Sequence, residues 1–177
     1  MIYTLEDYYR IEDVNLWELV KGVLHMSPPP RIIHQIVSLG LSRDLGNYFI
    51  NKKCEVLEAP VGLQLGENIV QPDIFVICDL SKLSKQNCVG IPDLIIEILS
   101  PRTKEKDLPN GVKFNLYQDY GLREYWIAEP EEEWIDQYQL IDRILTFQKR
   151  YTKEQLITSI VFPELTINLN QIFKSRD

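Results

Sequence analysis

The chain has 177 residues, 45% hydrophobic and 25% charged, which is the composition of an ordinary globular protein long enough to bury a core. Its formal net charge of −7 argues against a protein that holds nucleic acid mainly through a broad basic surface, because such binding rests on neutralising phosphates with Lys and Arg. The longest apolar run, residues 94–99, is interrupted by Glu97 and falls far short of a membrane span. In chain order, residues 17–26 place apolar residues on either side of Lys21-Gly22, the pattern of an N-terminal β-hairpin, which the Pro28-Pro29-Pro30 run ends. From Arg31 to about Ile50, Ile33, Val37, Leu41 and Leu45 recur at helical spacing. Residues 54–57, 61–65 and 70–78 read as strands, with Gly62 and Gly66-Glu67-Asn68 as turn signals.

Residues 92–100 (PDLIIEILS) are apolar on both alternating faces, as in a central strand covered on both sides. A helix is predicted over residues 112–120, with Lys113, Leu116, Tyr117 and Tyr120 on one stripe. A short strand at 124–128, a C-terminal hairpin of 134–140 with 144–151, and a tail from 160 to 173 complete the chain. The order predicts an α/β fold in which a mixed β-sheet core is flanked by helices and carries N-terminal and C-terminal β-hairpins. With no repeat, linker or charged-then-apolar leader in sight, one cytoplasmic domain over residues 1–177 is expected, with no membrane segment. Cys54, Cys78 and Cys88 are odd in number and lack C-x-x-C spacing, so all three are read as free thiols.

Glu97 carries the chemistry. In a strand it shares a face with Asp93, Ile95 and Leu99, while Leu94, Ile96 and Ile98 fill the other. An ionised carboxylate taken from water costs several kcal/mol unless it is compensated, so Glu97 must be protonated, ion-paired or metal-bound. A buried pair with one Lys or Arg is the plain structural explanation. Asp93 lies four strand residues away, about 13 Å, too far to share an ion. Asp73 opens another strand, and adjacent strands are about 4.8 Å apart, so Asp73 and Glu97 could both reach a hard cation such as Mg²⁺. Arg102, Lys104, Lys106 and Lys113 crowd the neighbouring sequence, although Lys104 to Asp107 reads by itself as a solvated loop.

With these residues in view, Asp73, Glu97 and Lys113 resemble the active-site set of the PD-(D/E)XK nuclease superfamily. More closely, PDLIIEILSPRT, then Lys113, Tyr117, Gly121 and EYWIAEP, resembles the Uma-type "putative restriction endonuclease" family. WELVKGVLHMSPPP with His34, and VQPDIFVI, extend the likeness over nearly the whole chain. The resemblance implies a restriction-endonuclease-like core, a divalent metal, nucleic acid as substrate and a homodimer. The superfamily's common lysine position, two residues after the strand acid, is Leu99 here, and the resemblance moves the role to Lys113.

The expected activity is Mg²⁺-dependent endonucleolytic hydrolysis of phosphodiester bonds, taken to be in DNA, with Mn²⁺ substituting. Asp73 and Glu97, with a main-chain carbonyl near Ile98, would hold the metal. Lys113 would orient or help deprotonate water and stabilise developing charge. For an isolated helical lysine, the alternative is a stem over the sheet and an ammonium in solvent. His34 and Glu18 are auxiliary candidates: His34 could contact phosphate or simply fill a core edge, and Glu18 could approach the metal or sit exposed on its strand. The competing function is a non-cleaving protein that keeps the nuclease fold as a DNA-binding or dimeric module. A third is hydrolysis of a smaller phosphodiester.

Overall fold

A computed structural model describes residues 2–12, 16–101 and 104–174. It opens with a short helix α1 (Leu5–Tyr9), closed at its start by reciprocal hydrogen bonds between Thr4 and Asp7. The hairpin of β1 (Leu16–Val20) and β2 (Val23–Ser27) follows. It turns at Lys21 and Gly22, whose φ angles of 50° and 77° match a two-residue turn that needs positive φ at both positions. The long helix α2 (Ile32–Phe49) buries Val37, Leu41, Leu45 and Phe49, the apolar stripe its periodicity predicts.

Next come β3 (Glu55–Glu58), β4 (Gly62–Leu65), β5 (Asn68–Val70) and β6 (Ile74–Ile77). The single strand expected over residues 70–78 is therefore two strands in different sheets. The break falls at Gln71-Pro72-Asp73, where Pro72 has no N–H to continue a ladder. After β7 (Asn87–Val89), the all-buried β8 (Leu94–Ile98) runs through the middle of the molecule. Two short helices, α3 (Lys104–Asp107) and α4 (Val112–Asp119), precede β9 (Glu124–Glu129). The long hairpin of β10 (Trp134–Ile141) and β11 (Ile144–Thr152), a small pair β12 (Leu156–Thr158) and β13 (Thr166–Asn168), and α5 (Leu169–Ile172) end the chain.

The central sheet has the order β11-β10-β9-β8-β6-β3. It is mixed: β8 and β9 are parallel and the other pairs antiparallel. Residues of alternating direction on β8 feed two cores. Leu94, Ile96 and Ile98 pack with α2, α5 and the C-terminal strands. Ile95 and Leu99 pack with Phe114, Leu116 and Tyr117 of α4 and with the second sheet, β2-β1-β5-β4-β7. Of the predicted α4 stripe, Lys113, Leu116 and Tyr117 are buried, whereas Tyr120, just past the helix end, is partly exposed.

The cysteine expectation needs correcting. Cys54 and Cys78 form a disulfide, and only Cys88 is free and buried. The cause is register: Glu55 pairs with Ile77, so one further step in the antiparallel ladder sets Cys54 opposite Cys78. A spacing of 24 residues carries no such information.

Glu124 anchors the tail. Fully buried at the start of β9, it accepts hydrogen bonds from Trp126 Nε1, Gln137 Nε2, Ser159 Oγ and the Ile160 and Val161 N–H groups. Five donors on one carboxylate satisfy its charge without a cation.

Candidate active site

Extending the β6–β8 register by one residue from Ile74 and Ile96 sets Asp73 opposite Glu97, as adjacent strands were expected to do. Each acid faces a main-chain N–H at or next to the other. The Ile98 N–H donates to Asp73 Oδ2 at 2.7 Å, and the Asp73 N–H faces Glu97 Oε2 at 3.4 Å. Asp93, the rival acid, lies elsewhere: it accepts from the Cys78 N–H and pairs with Arg123.

Lys113 reaches the same point from α4. Its Nζ lies 2.6 Å from Glu97 Oε1, 3.2 Å from Glu18 Oε1 and 3.6 Å from Asp107 Oδ1. The solvent-reaching conformation open to an isolated lysine does not occur, since Lys113 is 5% exposed. Gly111 makes this approach possible, because a Cβ there would run into the Glu105 and Lys106 carbonyl oxygens where α3 folds onto α4. Tyr117, one turn along α4, donates to Glu97 Oε1 at 2.6 Å.

Two surrounding acids are more deeply placed than the sequence suggests. Glu18 is buried on β1 rather than exposed, and also accepts the Gln71 N–H at 2.9 Å. Asp107 belongs to helix α3 rather than a solvated loop and is 4% exposed. Its Oδ1 has no hydrogen-bond partner, Lys113 being too distant for one. His34 is buried with Nε2 at 3.2 Å from Asp73 Oδ1. Lys106 is partly buried and lies 3.8 Å from Glu18. Asp73, Glu97, Lys113, Glu18, Asp107, His34 and Lys106 all line one cavity of about 200 Å³, walled by Pro28, Pro29, Pro30 and Pro60. Ser100 also lines it, while Arg102 and Thr103 lie outside the described residues.

Four carboxylates thus face two ammonium groups in one cleft. Burial, reinforced by the Asp107 and Asp73 carboxylates against the pull of Lys113, pushes Glu97 well above the usual carboxylate range. Burial likewise raises Asp107 to about 6. Burial alone would lower Lys113, but Glu18, Glu97, Asp107 and Asp73 outweigh it and hold its pKa well above the ordinary lysine value. Lys113 therefore stays charged, and the surplus negative charge must be met by shared protons or by an added cation.

The donor set fits a hard divalent cation: every acidic ligand is oxygen, the surplus is two charges once all four acids are ionised, and one buried carboxylate oxygen is unpartnered. Among the described residues no three acidic, histidine or cysteine side chains converge tightly enough to hold an ion alone. Lys113, in their midst, explains this. An ion such as Mg²⁺, however, commonly takes one or two carboxylates and completes its shell with water and phosphate oxygens.

A mixed central sheet with helices on both faces and this acid-lysine cluster at the meeting of β6 and β8 define a restriction-endonuclease-like α/β fold. The crystal structure of a protein from Anabaena variabilis, described as a "putative nuclease belonging to DUF820", superposes with a TM-score of 0.77 over 96% of this chain and 97% of its own, at 18% identity. The chain belongs to the Uma2 family, described as "Putative restriction endonuclease", whose model matches residues 5–170. It is also 30% identical over 108 residues to the uncharacterized protein slr1290 of Synechocystis sp., a match spanning 59% of this chain and 56% of that relative. Among the described residues, no helix is long and apolar enough to cross a membrane.

Proposed function

We propose that the chain is a Mg²⁺-dependent endonuclease that hydrolyses phosphodiester bonds in nucleic acid, with Asp73 and Glu97 as metal ligands and Lys113 as the fixed cation beside them. The observation that carries this is the meeting of Asp73, Glu97 and Lys113, from three separate elements, in one cavity. The family's description supports DNA as the substrate.

A bound divalent cation would supply Lewis acidity toward the phosphate and a more acidic water, with Mn²⁺ able to substitute. The chain's own groups prepare that site. Asp73 is oriented by the Ile98 N–H on one oxygen and His34 on the other. Lys113 and Tyr117 occupy Glu97 Oε1, which directs Oε2 toward Asp73. The raised pKa of Lys113 suits it to stabilise negative charge developing on a phosphate and makes it a poor proton acceptor.

The test is cleavage of supercoiled plasmid and of single-stranded oligonucleotides in Mg²⁺ or Mn²⁺ by wild type, Asp73→Ala, Glu97→Ala and Lys113→Ala. Loss of cleavage in all three variants is expected, and equal activity in all four proteins would sink the assignment. A second reading, a non-cleaving module with the same fold, is favoured by the 2.6 Å closure of Lys113 on Glu97. It predicts that calorimetric titration with Mn²⁺ gives no heat that depends on Glu97, so wild type and Glu97→Gln would behave alike.

A further inference from the structure

A second recess adjoins the catalytic cavity and has the opposite chemistry. It has a volume of about 250 Å³ and is lined by Tyr8, Tyr9, Ile11, Leu16, Trp17 and Gln71. Three aromatic rings contribute, and no side chain in the lining carries a charge at neutral pH. Leu16 and Gln71 line both cavities, so the two are continuous around one rim. Gln71 joins them directly: its N–H holds Glu18 Oε1 at 2.9 Å, while its amide donates to the Trp17 carbonyl at 3.3 Å. Trp17 and Glu18 are consecutive in β1, so their side chains leave opposite faces of one strand.

The rings are held in place. Tyr8 OH donates to the Trp17 carbonyl at 3.1 Å, and the Tyr8 and Tyr9 rings meet edge to face with centroids 5.4 Å apart. Tyr9 is 51% exposed, yet its hydroxyl accepts from Asn87 Nδ2 at 2.8 Å and donates to Gln64 Oε1 at 3.3 Å. A half-exposed aromatic tethered at its far end offers a fixed face to a ligand with little further ordering cost. The recess is smaller than the roughly 300–1,000 Å³ typical of drug-sized ligands. That suits one planar ring system. The uncharged lining does not suit phosphate, which the neighbouring cavity would take.

Building on the nuclease reading, we propose that the Tyr8–Tyr9–Trp17 recess receives an unstacked nucleobase next to the scissile phosphate, with Tyr9 as its stacking platform. A base inside a duplex cannot reach such a recess without leaving its stack, so the preferred substrate is single-stranded or locally unpaired nucleic acid. This accords with the net charge of −7: base stacking contributes affinity that a broad basic surface would otherwise have to supply.

The test is fluorescence anisotropy in Ca²⁺, with oligonucleotide integrity checked on gels. The probes are a labelled oligothymidylate and a hairpin duplex, and the proteins are wild type, Tyr9→Phe and Tyr9→Ala, with folding checked by circular dichroism. Tyr9→Ala is expected to weaken single-strand binding about tenfold or more, Tyr9→Phe, which keeps the ring and loses its tether, to weaken it clearly less, and duplex binding to be weaker and insensitive to either change. Equal single-strand affinity of Tyr9→Ala and wild type, or no single-strand binding by wild type, overturns the proposal. The nuclease reading fails separately: a protein that binds single strands through Tyr9 but cuts nothing keeps the recess and loses the chemistry.

Discussion

Replacing Lys113 with methionine keeps most of the side chain's volume and removes its charge. In the native protein that ammonium lies within 4 Å of Glu18, Glu97 and Asp107 and is buried with them. Removing one partner of a buried pair costs about 3–5 kcal/mol, because the remaining charge stays in a poor solvent. Protonation of Glu97 and Asp107, already favoured by burial, limits the loss, so the lower end of that range is expected near neutral pH. At about 2–4 °C per kcal/mol for a chain of this size, the melting temperature in EDTA should fall by roughly 6–12 °C. Urea denaturation with and without EDTA is the assay. Mg²⁺ should restore more stability to Lys113→Met than it adds to wild type, since a cation would then replace the lost charge. A variant as stable as wild type in EDTA would refute the electrostatic reasoning, because it would mean that the carboxylates do not depend on Lys113.

Other consequences are equally open to measurement. Asp107 has a folded pKa of about 6 against an ordinary 3.8, so between those values the folded protein holds a proton the unfolded chain has released, and stability should fall as pH rises from about 4 to about 6. Urea unfolding in EDTA at both ends of that window should show wild type losing ground relative to Asp107→Asn; a gain would contradict the assignment. Glu124→Ala strips an acceptor from five donors, several of them buried, and should cost about 3 kcal/mol or more. Limited proteolysis should then cut after residue 155, while cleavage activity per folded molecule is retained. Cys54→Ser with Cys78→Ser opens a loop of 24 residues and should lower stability by about 3 kcal/mol on the chain-entropy view, with a matching loss when wild type is reduced.

Much of the site was legible because an acid in an apolar strand is a physical anomaly. Glu97 among Leu94, Ile95, Ile96 and Ile98 demanded a partner, strand spacing nominated Asp73, and helical phase turned Lys113 inward. The burial of Glu18 and Asp107 was not legible: Glu18 sits on β1, far from α4 in sequence, and Asp107 turns inward only through the way α3 folds onto α4. Asp107 had one local signal: Gly111 lets α3 fold tightly onto α4, but a glycine near a Pro-Asn turn has commoner explanations. The division into two larger sheets was hidden for a similar reason, since Pro72 interrupts a run whose alternation otherwise reads as continuous. Register paired Cys54 with Cys78, and register is fixed by tertiary packing rather than by spacing along the chain. Helix α1 was missed because its five residues are too few for periodicity to show.

The claim on which the chemistry rests is that Asp73 and Glu97 share a divalent cation. Anomalous diffraction from crystals of the protein soaked in Mn²⁺ tests it most directly. The account predicts a peak in contact with both carboxylates, lost in Glu97→Gln; a Mn²⁺ peak bound only elsewhere, with Lys113 still closed on Glu97, would contradict it.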